Sequence, residues 1–331
     1  MPGEKKLRWL LVGAGDIAAK RVAPALALSG EIAAVCDVAL GRAEQAAGLF
    51  GIQEIYDDLD AALDATSAEV VYLATPVHLH AKQAARVLES GRHVLVEKPL
   101  GINAADALRA VEAARSRDLR AGCAYFRRCS PRYLHAKRAI ETGELGKIIL
   151  IRMTYRSWFN PSPDDPKYWR VVPSRSGGGV LADMGSHMFD VLIGLFGMPA
   201  RVFAKTRTLV QPYEAEDSAA VFMELPGGTP VVGGFLWNSR TWTHEFEIVG
   251  TGAAVKWLPY DTGKVIKTAG RETEELDLPG AENVHLPLVE DFARAVRSGR
   301  DPIAPLAEAL KTNVLLDAVY ESSRREKEIG L

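Results

Sequence analysis

The first 125 residues alternate two hydrophobic patterns, and this alternation constrains the fold more than any other feature of the chain. Short, uninterrupted apolar runs occupy residues 7–13, 31–37, 69–74, 92–97 and 119–125. Amphipathic segments such as LHAKQAARVLES separate these runs. Strands that are apolar along their whole length and are joined by helices predict a parallel sheet covered on both faces. We therefore expect an α/β fold whose N-terminal domain is a doubly wound sheet.

The pattern changes after Tyr125. From residue 200 to about 268, apolar and polar residues alternate, and Gly-rich turns such as PGGTP separate the runs. A period of two predicts a largely antiparallel open sheet, and helical patterns lie at 131–142, 286–299 and 305–327. A length of 331 residues is typical of two domains, which we expect at residues 1–126 and 127–331.

The composition excludes several partners and compartments. With 40 Lys and Arg against 42 Asp and Glu, a net charge of −2 gives no reason to expect nucleic acid or an anionic membrane. The apolar run near the N-terminus is too short for a secretion signal, and no segment approaches the ~20 apolar residues of a membrane span. Cys36, Cys123 and Cys129 form no CxxC pair, which is typical of a reducing compartment. We expect a cytoplasmic protein without a metal site.

The segment GAGDIA, residues 13–18, follows the first apolar run and opens a helical pattern. It fits G-x-G-x-x-G/A: Gly13 permits a tight turn, Gly15 lets the backbone approach a pyrophosphate, and Ala18 allows close packing of helix on strand. The helix N-terminus adds backbone N–H groups and a positive dipole, so Asp16 and Ile17 are also candidates for contact with the ligand. This context favours a dinucleotide site over a structural turn.

An acidic residue, Asp37, ends the second strand about 20 residues further on. A carboxylate at this place binds the ribose 2′-OH and repels a 2′-phosphate, which favours NAD. Arg42 can either bind a 2′-phosphate or be an ordinary solvated residue of a helix. NADP therefore stays open as the alternative cofactor.

Two further segments, TPVHLHA (75–81) and VEKPL (96–100), stand where the third and fourth apolar runs end. The carboxyl ends of parallel strands border the ligand crevice of open α/β sheets. A lysine there, Lys98, can hydrogen-bond a substrate hydroxyl and stabilise charge on its oxygen. Taken alone, EKP also fits a surface turn, and the TP segment also fits a helix start. The remaining residues expected to bind the cofactor at this edge are Ala74, Thr75, Pro76, His80 and Glu97.

The segment GGGVLADMGSHMFD, residues 177–190, carries Asp183, His187 and Asp190 at helical spacing on one strip. Three interpretations compete: a solvated polar face, a metal site, and an acid/base pair. The sequence has no further cluster of ligand residues whose spacing would support a metal site. Histidine titrates near neutral pH and suits removal of a hydroxyl proton, and Asp183 can orient the imidazole or bind a neighbouring hydroxyl.

The loop SWFNPSPDDPKYWR, residues 157–170, is rich in aromatic residues. These aromatics can form the apolar face on which a sugar ring packs, with polar neighbours binding its hydroxyls. They can equally fasten a long loop to the sheet. The candidates for substrate contact in this loop are Trp158, Phe159, Asn160, Tyr168, Trp169 and Arg170.

These motifs, in this order and spacing, resemble the Gfo/Idh/MocA oxidoreductases, which include glucose–fructose oxidoreductase and inositol dehydrogenases. The resemblance spans nearly the whole chain. It implies a Rossmann domain that binds NAD(P), followed by an α/β domain that binds substrate and whose sheet forms dimers or tetramers. It also implies catalytic roles for Lys98, Asp183 and His187. The chain departs from the family at Val77, where Asn is common, and at Phe126, where an amide is common.

The resulting hypothesis is an NAD(P)-dependent oxidoreductase acting on a secondary alcohol, or the corresponding ketone, of a sugar, inositol or related polyol. In it His187 is the general base, Lys98 polarises the oxygen and Asp183 orients, while Arg127, in the YFRRCSP segment, is a further substrate contact. Two alternatives belong to other classes. One is a glycoside hydrolase that uses bound NAD transiently, and the other is a non-catalytic sugar or dinucleotide sensor.

Overall fold

A computed structural model describes residues 6–331 and divides them into two compact units. The first unit runs to Phe126 and also contains residues 281–310, while the second contains residues 127–280 and 311–331. From the sequence we expected domains at residues 1–126 and 127–331. Residues 281–310 differ from that expectation, which assigned the whole chain after residue 126 to the second domain.

The secondary structure follows the predicted order. The strands are β1 (Arg8–Val12), β2 (Glu31–Cys36), β3 (Glu54–Tyr56), β4 (Val70–Leu73), β5 (His93–Val96), β6 (Ala121–Cys123), β7 (Ile148–Trp158), β8 (Arg201–Arg207), β9 (Ser218–Glu224), β10 (Pro230–Leu236), β11 (Asn238–Gly250), β12 (Ala254–Leu258), β13 (Lys264–Ala269), β14 (Glu272–Leu276) and β15 (Ile329–Gly330). The α-helices are α1 (Ala23–Ser29), α2 (Leu40–Phe50), α3 (Leu59–Ala65), α4 (Val77–Glu89), α5 (Ala104–Arg115), α6 (Pro131–Glu141), α7 (Pro173–Ser176), α8 (Ser186–Phe196), α9 (Leu286–Ser298) and α10 (Leu306–Arg325).

The first unit is built on a parallel six-stranded sheet in the order β3-β2-β1-β4-β5-β6. This order reverses at β1 and β4, which places the carboxyl ends of the central strands at a topological switch point. The strands β1, β4 and β5 are almost completely buried, as their uninterrupted apolar sequences require. The predicted doubly wound sheet is confirmed.

Residues 281–310 belong to the first unit because they complete its core. The ring of Phe292 on α9 lies 6.2 Å from that of Trp9 on β1, and both side chains are fully buried. The amide of Cys123 on β6 donates a 2.9 Å hydrogen bond to the Ala304 carbonyl. Local periodicity predicted these helices well, but it carries no information about which sheet an amphipathic helix covers.

The second unit contains a nine-stranded sheet in the order β14-β13-β12-β11-β7-β10-β9-β8-β15. Its neighbouring strands pair antiparallel except β7 and β10, which are parallel. One face of this sheet packs on the helical segment Pro173–Phe196, where Phe189 meets Phe235 of β10 at 5.7 Å in an edge-to-face arrangement. By length and composition that segment, which includes α7 and α8, could cross a membrane, but 72% of its most apolar window is buried in the structure.

Each of the two glycine motifs is followed by a helical segment that contains a π-helical turn. The first turn, Ala18–Val22, precedes α1, and the second, Leu181–Gly185, precedes α8. A π-turn inserts one extra residue into the helical repeat and is frequent at functional sites. Amphipathic spacing alone did not predict either turn.

Candidate active site

The GAGDIA loop has the geometry that a dinucleotide requires. Gly13 has φ +89°, and a Cβ atom there would lie 2.7 Å from the backbone of Ala74, so only glycine fits. A Cβ on Gly15 would meet nothing within 4 Å, which leaves the backbone open to a pyrophosphate. Asp16 and Ile17 are exposed at the start of the following helix. The loop therefore fits NAD.

Asp37 connects the end of β2 to this loop. Its Oδ2 accepts a 2.7 Å hydrogen bond from the amide of Ala14, and its Oδ1 accepts one of 2.8 Å from the amide of Ala39. The carboxylate is 9% exposed. It is thus held rigidly beside the glycine loop with lone pairs left for a ribose hydroxyl. Arg42 lies exposed on α2.

His80 links the two strand-end loops of the first unit. Its Nδ1 lies 2.8 Å from the Pro99 carbonyl oxygen and its Nε2 lies 2.7 Å from that of Thr75. Burial lowers the pKa of this imidazole, an effect that these two hydrogen bonds only partly offset. The side chain is 1% exposed. His80 therefore holds together the two loops predicted to bind the cofactor, those that contain Thr75 and Pro99.

Glu97 is the second buried support of the EKP segment. Its Oε1 accepts a 2.9 Å hydrogen bond from Tyr72 Oη and lies 3.2 Å from His285 Nε2, while its Oε2 accepts from the amide of Lys98. Burial acts to raise the pKa of Glu97, but hydrogen bonding and charge from His285, with the Tyr72 hydroxyl, outweigh it and lower the pKa. Lys98 itself is partly exposed at the carboxyl end of β5.

The second unit carries the other predicted catalytic residues on one continuous helical segment. Asp183 lies in the π-turn with 26% of its side chain exposed, and its Oδ2 is 3.8 Å from Arg170 Nε. His187 follows in the first turn of α8 and is 6% exposed. Asp183 and His187 are four residues apart in the sequence, and the structure keeps both on this segment of the second unit.

Asp190 is not part of a solvated strip. It is 1% exposed and forms a buried ion pair with Arg128, whose Nη2 lies 2.8 Å from Asp190 Oδ1. The Nε atom of Arg128 donates two further bonds of 3.0 Å to the same carboxylate. Asp190 therefore anchors α8 and does not share the exposure of Asp183.

The glycines before the π-turn are required by close packing. A Cβ on Gly178 would collide with the Tyr320 hydroxyl, and one on Gly179 would collide with the Glu216 carbonyl oxygen. Glu216 also accepts hydrogen bonds of 2.6 Å from the Gly179 amide and 3.0 Å from the Leu181 amide. The backbone passes this close because no side chain intervenes, and Glu216 thereby fixes the start of the turn that carries Asp183.

Some residues of the aromatic loop fasten it to the sheet, and others lie beside Asp183, where they suit contact with substrate. Phe159 packs on Trp237 at 4.6 Å and its carbonyl accepts a bond from Tyr213, so it fastens the loop to the sheet. Tyr168, Trp169 and Arg170 form a short 3₁₀ turn, in which the Arg170 guanidinium lies 4.6 Å from the Trp169 ring centre. That turn contacts Asp183 through Arg170. Trp158 lies at the end of β7 and is 41% exposed.

Arg127, which the sequence suggested as a substrate contact, forms an ion pair with Asp261 in the structure. Its Nε and Nη2 donate bonds of 2.7 and 2.6 Å to the two oxygens of Asp261. Asp261 Oδ2 also lies 3.6 Å from His244 Nδ1. Burial lowers the pKa of His244 to about 4, although Asp261 opposes the shift. Arg127 thus organises a buried polar cluster of the second unit.

Tyr155 and His244 are two buried or half-buried polar aromatic residues of the second unit that the sequence patterns did not indicate. Tyr155 on β7 meets the His244 ring edge-to-face at 5.0 Å, and burial, together with the negative charge of Asp183, raises the pKa of its phenol. Both residues stand in strands at inward positions, where an alternating pattern predicts an apolar side chain. A polar aromatic residue at such a position is the signal that could have identified them. Between residues 6 and 331, no group of three or more His, Cys, Asp or Glu side chains is arranged to hold a metal ion.

Comparison with known families decides the relationship. The family model described as "Oxidoreductase family, NAD-binding Rossmann fold" matches residues 7–125, and the model "GFO/IDH/MocA C-terminal domain" matches residues 133–256. The chain belongs to the Gfo/Idh/MocA oxidoreductase family. This confirms the resemblance, the enzyme class and the NAD-binding domain inferred from the motifs.

Two relatives are similar in sequence over nearly the full chain. An uncharacterized oxidoreductase of Rhizobium meliloti, ORF334, is 29% identical over 96% of this chain and 97% of its own length. The scyllo-inositol 2-dehydrogenase (NAD(+)) of Bacillus subtilis is 26% identical over 91% and 89% of the two chains.

Two solved structures share the fold. Levoglucosan dehydrogenase, in complex with NADH and levoglucosan, superposes with a TM-score of 0.89 at 23% identity, covering 98% of this chain and 99% of that one. The aldose-aldose oxidoreductase from Caulobacter crescentus superposes with a TM-score of 0.90 at 22% identity, covering 99% and 100%. At these identities the likeness establishes the architecture.

Proposed function

We propose that this protein transfers hydride between NAD and a secondary alcohol, or the corresponding ketone, of a sugar, inositol or related polyol. The observation that carries the proposal is the presence in one chain of three features: the dinucleotide loop with Asp37, Lys98 at the carboxyl end of β5, and Asp183 with His187 on one helical segment. Relatives named as inositol and levoglucosan dehydrogenases support the substrate class.

Each residue has a role suited to its environment. NAD, when bound, supplies the hydride acceptor. His187 accepts the proton of the substrate hydroxyl during oxidation, and Lys98 donates a hydrogen bond that stabilises charge developing on a substrate oxygen. Asp183, which is more exposed than His187, binds a neighbouring hydroxyl or orients the imidazole, and Arg170 limits its motion.

The cofactor and substrate contacts follow from the same assignment. Gly13, Gly15 and Asp37 hold the pyrophosphate and ribose, and the rigid carboxylate of Asp37 selects NAD over NADP because it repels a 2′-phosphate. Trp158, Tyr168 and Trp169 supply an apolar surface for the face of a sugar ring, while Arg170 binds hydroxyls. The remaining contacts proposed for the cofactor are Asp16, Ile17, Ala74, Thr75 and Pro76.

A panel assay tests the proposal. The protein is mixed with NAD or NADP and with sugars, inositols and their keto forms, and nicotinamide fluorescence is followed. We expect substrate-dependent NADH formation or consumption with at least one member of the panel. Free sugar released from a glycoside without net NADH formation would instead identify a hydrolase, and binding without turnover across the panel would identify a sensor.

We further propose that the protein works in the cytoplasm as a homodimer or homotetramer that associates through the second unit's sheet. Three apolar side chains lie side by side on its open face, because Phe203 pairs with Phe222 across β8 and β9 and Phe222 pairs with Val232 across β9 and β10. They are 39%, 44% and 46% exposed. A contiguous apolar stripe of this kind is typical of a subunit interface.

A further inference from the structure

We propose that His285 is a positioning residue for Lys98 and acts through the carboxylate of Glu97. This inference rests on the proposed role of Lys98. The evidence is a chain of contacts within the first unit that begins at the entry to α9 and ends at the backbone of the EKP lysine.

The first step is the burial of Glu97, which is 8% exposed. A carboxylate removed from water needs hydrogen-bond donors, and two side chains provide them at Oε1. Tyr72 Oη donates at 2.9 Å, and His285 Nε2 lies at 3.2 Å. Since an ionised carboxylate only accepts, the Nε2 atom of His285 carries the hydrogen.

The second step is the effect of this carboxylate on Lys98. Its other oxygen, Oε2, accepts a hydrogen bond from the Lys98 amide at 3.3 Å. Because Oε1 is held on one side by His285 and Tyr72, the plane of the carboxylate is fixed, and Oε2 is fixed with it. The orientation of Glu97 thus determines where the backbone of Lys98 lies, one residue before the Pro99 carbonyl that contacts His80.

The third step is that His285 is itself held in place. The backbone amide of His285 donates a 3.0 Å hydrogen bond to Asn283 Oδ1. Asn283 is held in turn, because its Nδ2 donates a 2.8 Å hydrogen bond to the Arg21 carbonyl. The Phe126 ring lies 4.9 Å from the imidazole. His285 is 3% exposed, so it connects a segment distant in sequence to the EKP motif without reaching solvent.

Three substitutions test the inference on the full-length protein. His285→Ala removes the donor, His285→Gln retains an amide N–H that can reach Glu97, and His93→Ala is the matched control at the opposite end of β5. We expect His285→Ala to lower kcat about tenfold or more while KM and the NADH dissociation constant change little, and His285→Gln to restore most of the loss. His93→Ala should leave kcat unchanged.

Hydrogen exchange provides a readout independent of catalysis. We expect the Lys98 amide to exchange faster in His285→Ala than in the wild type, while amides of β1 keep their protection. Combining His285→Ala with Lys98→Met should cause no loss beyond that of Lys98→Met alone. Unchanged exchange at Lys98 together with unchanged kcat would overturn the inference. Full activity of Lys98→Met would instead refute the proposed function, and the exchange result would still decide whether His285 positions this backbone.

Discussion

The carboxylate of Glu216 accepts a 2.6 Å hydrogen bond from the backbone amide of Gly179. A second amide, that of Leu181, donates to the other oxygen at 3.0 Å, and the Tyr320 hydroxyl donates at 3.0 Å as well. These contacts fix the entry to the π-turn on which Asp183 lies. The turn that carries Asp183 therefore depends on an acidic residue from a different part of the chain.

Replacement of Glu216 by Gln should lower kcat by about tenfold or more, because the amide keeps one acceptor oxygen and turns its NH₂ group toward a backbone donor. The affinity for NADH should not change, since the dinucleotide loop belongs to the first unit. Steady-state kinetics and fluorescence titration measure the two effects. Glu214→Gln, at an exposed position two residues earlier, is the control. Equal kcat in all three proteins would show that the turn does not need this anchor.

Replacement of Asp190 by Asn should destabilise the protein by about 3–5 kcal/mol, because it leaves the buried Arg128 guanidinium without its counter-charge. The double substitution Arg128→Met with Asp190→Leu should cost less than the sum of the two single changes, since no buried charge remains. Urea unfolding measures both. If Asp190→Asn instead kept full stability and lost turnover, Asp190 would have a catalytic role.

Asp217 should make the protein less stable in acid. Burial acts to raise the pKa of this carboxyl, but the amides of Leu209, Gln211 and Val210 outweigh it and lower the pKa below the ordinary value of 3.8. A lowered pKa stabilises the folded state above that ordinary value, and the contribution is lost as pH falls through the folded pKa.

The stability difference between the wild type and Asp217→Asn should therefore stay constant from about pH 8 to about pH 5 and shrink below about pH 4. Urea unfolding at a series of pH values gives this difference. Asp64→Asn, on the exposed side of α3, is the control substitution. A difference that grew on acidification would contradict the assignment.

Substitution of Phe222 by Arg should dissociate the proposed assembly, because it places a charge in the middle of the apolar stripe. Light scattering coupled to size-exclusion chromatography measures the mass. We expect a dimer or tetramer for the wild type, a smaller species for Phe222→Arg, and no change for Leu28→Arg at an exposed position of α1. A monomeric wild type would refute the proposed interface.

The sequence predicted the parallel sheet and the dinucleotide loop because both depend on local pattern. Continuous apolar runs such as RWLLV of β1 are readable from periodicity, and a glycine at position 13 is required by one close approach to Ala74. The antiparallel second sheet was predicted for the same reason. The three-residue strand β3 gave no comparable signal.

Local sequence patterns do not predict contacts between residues that are far apart in the chain. Nothing near Glu97 in sequence indicates that His285 would meet it, and the pairing of Arg128 with Asp190 joins residues 62 positions apart. The placement of residues 281–310 on the first sheet has the same origin, because Phe292 and Trp9 are brought together only by the fold. The sequence identified candidate catalytic residues, while their supports became visible only in three dimensions.

We propose that Lys98 and His187 carry the chemistry of a dehydrogenase. The most direct measurement compares turnover and NADH affinity in the wild type, Lys98→Met and His187→Ala on a substrate found in the panel. We expect both variants to lose at least about a hundredfold in kcat while the NADH dissociation constant stays within about twofold. Wild-type turnover in either variant would refute the roles proposed for these two residues.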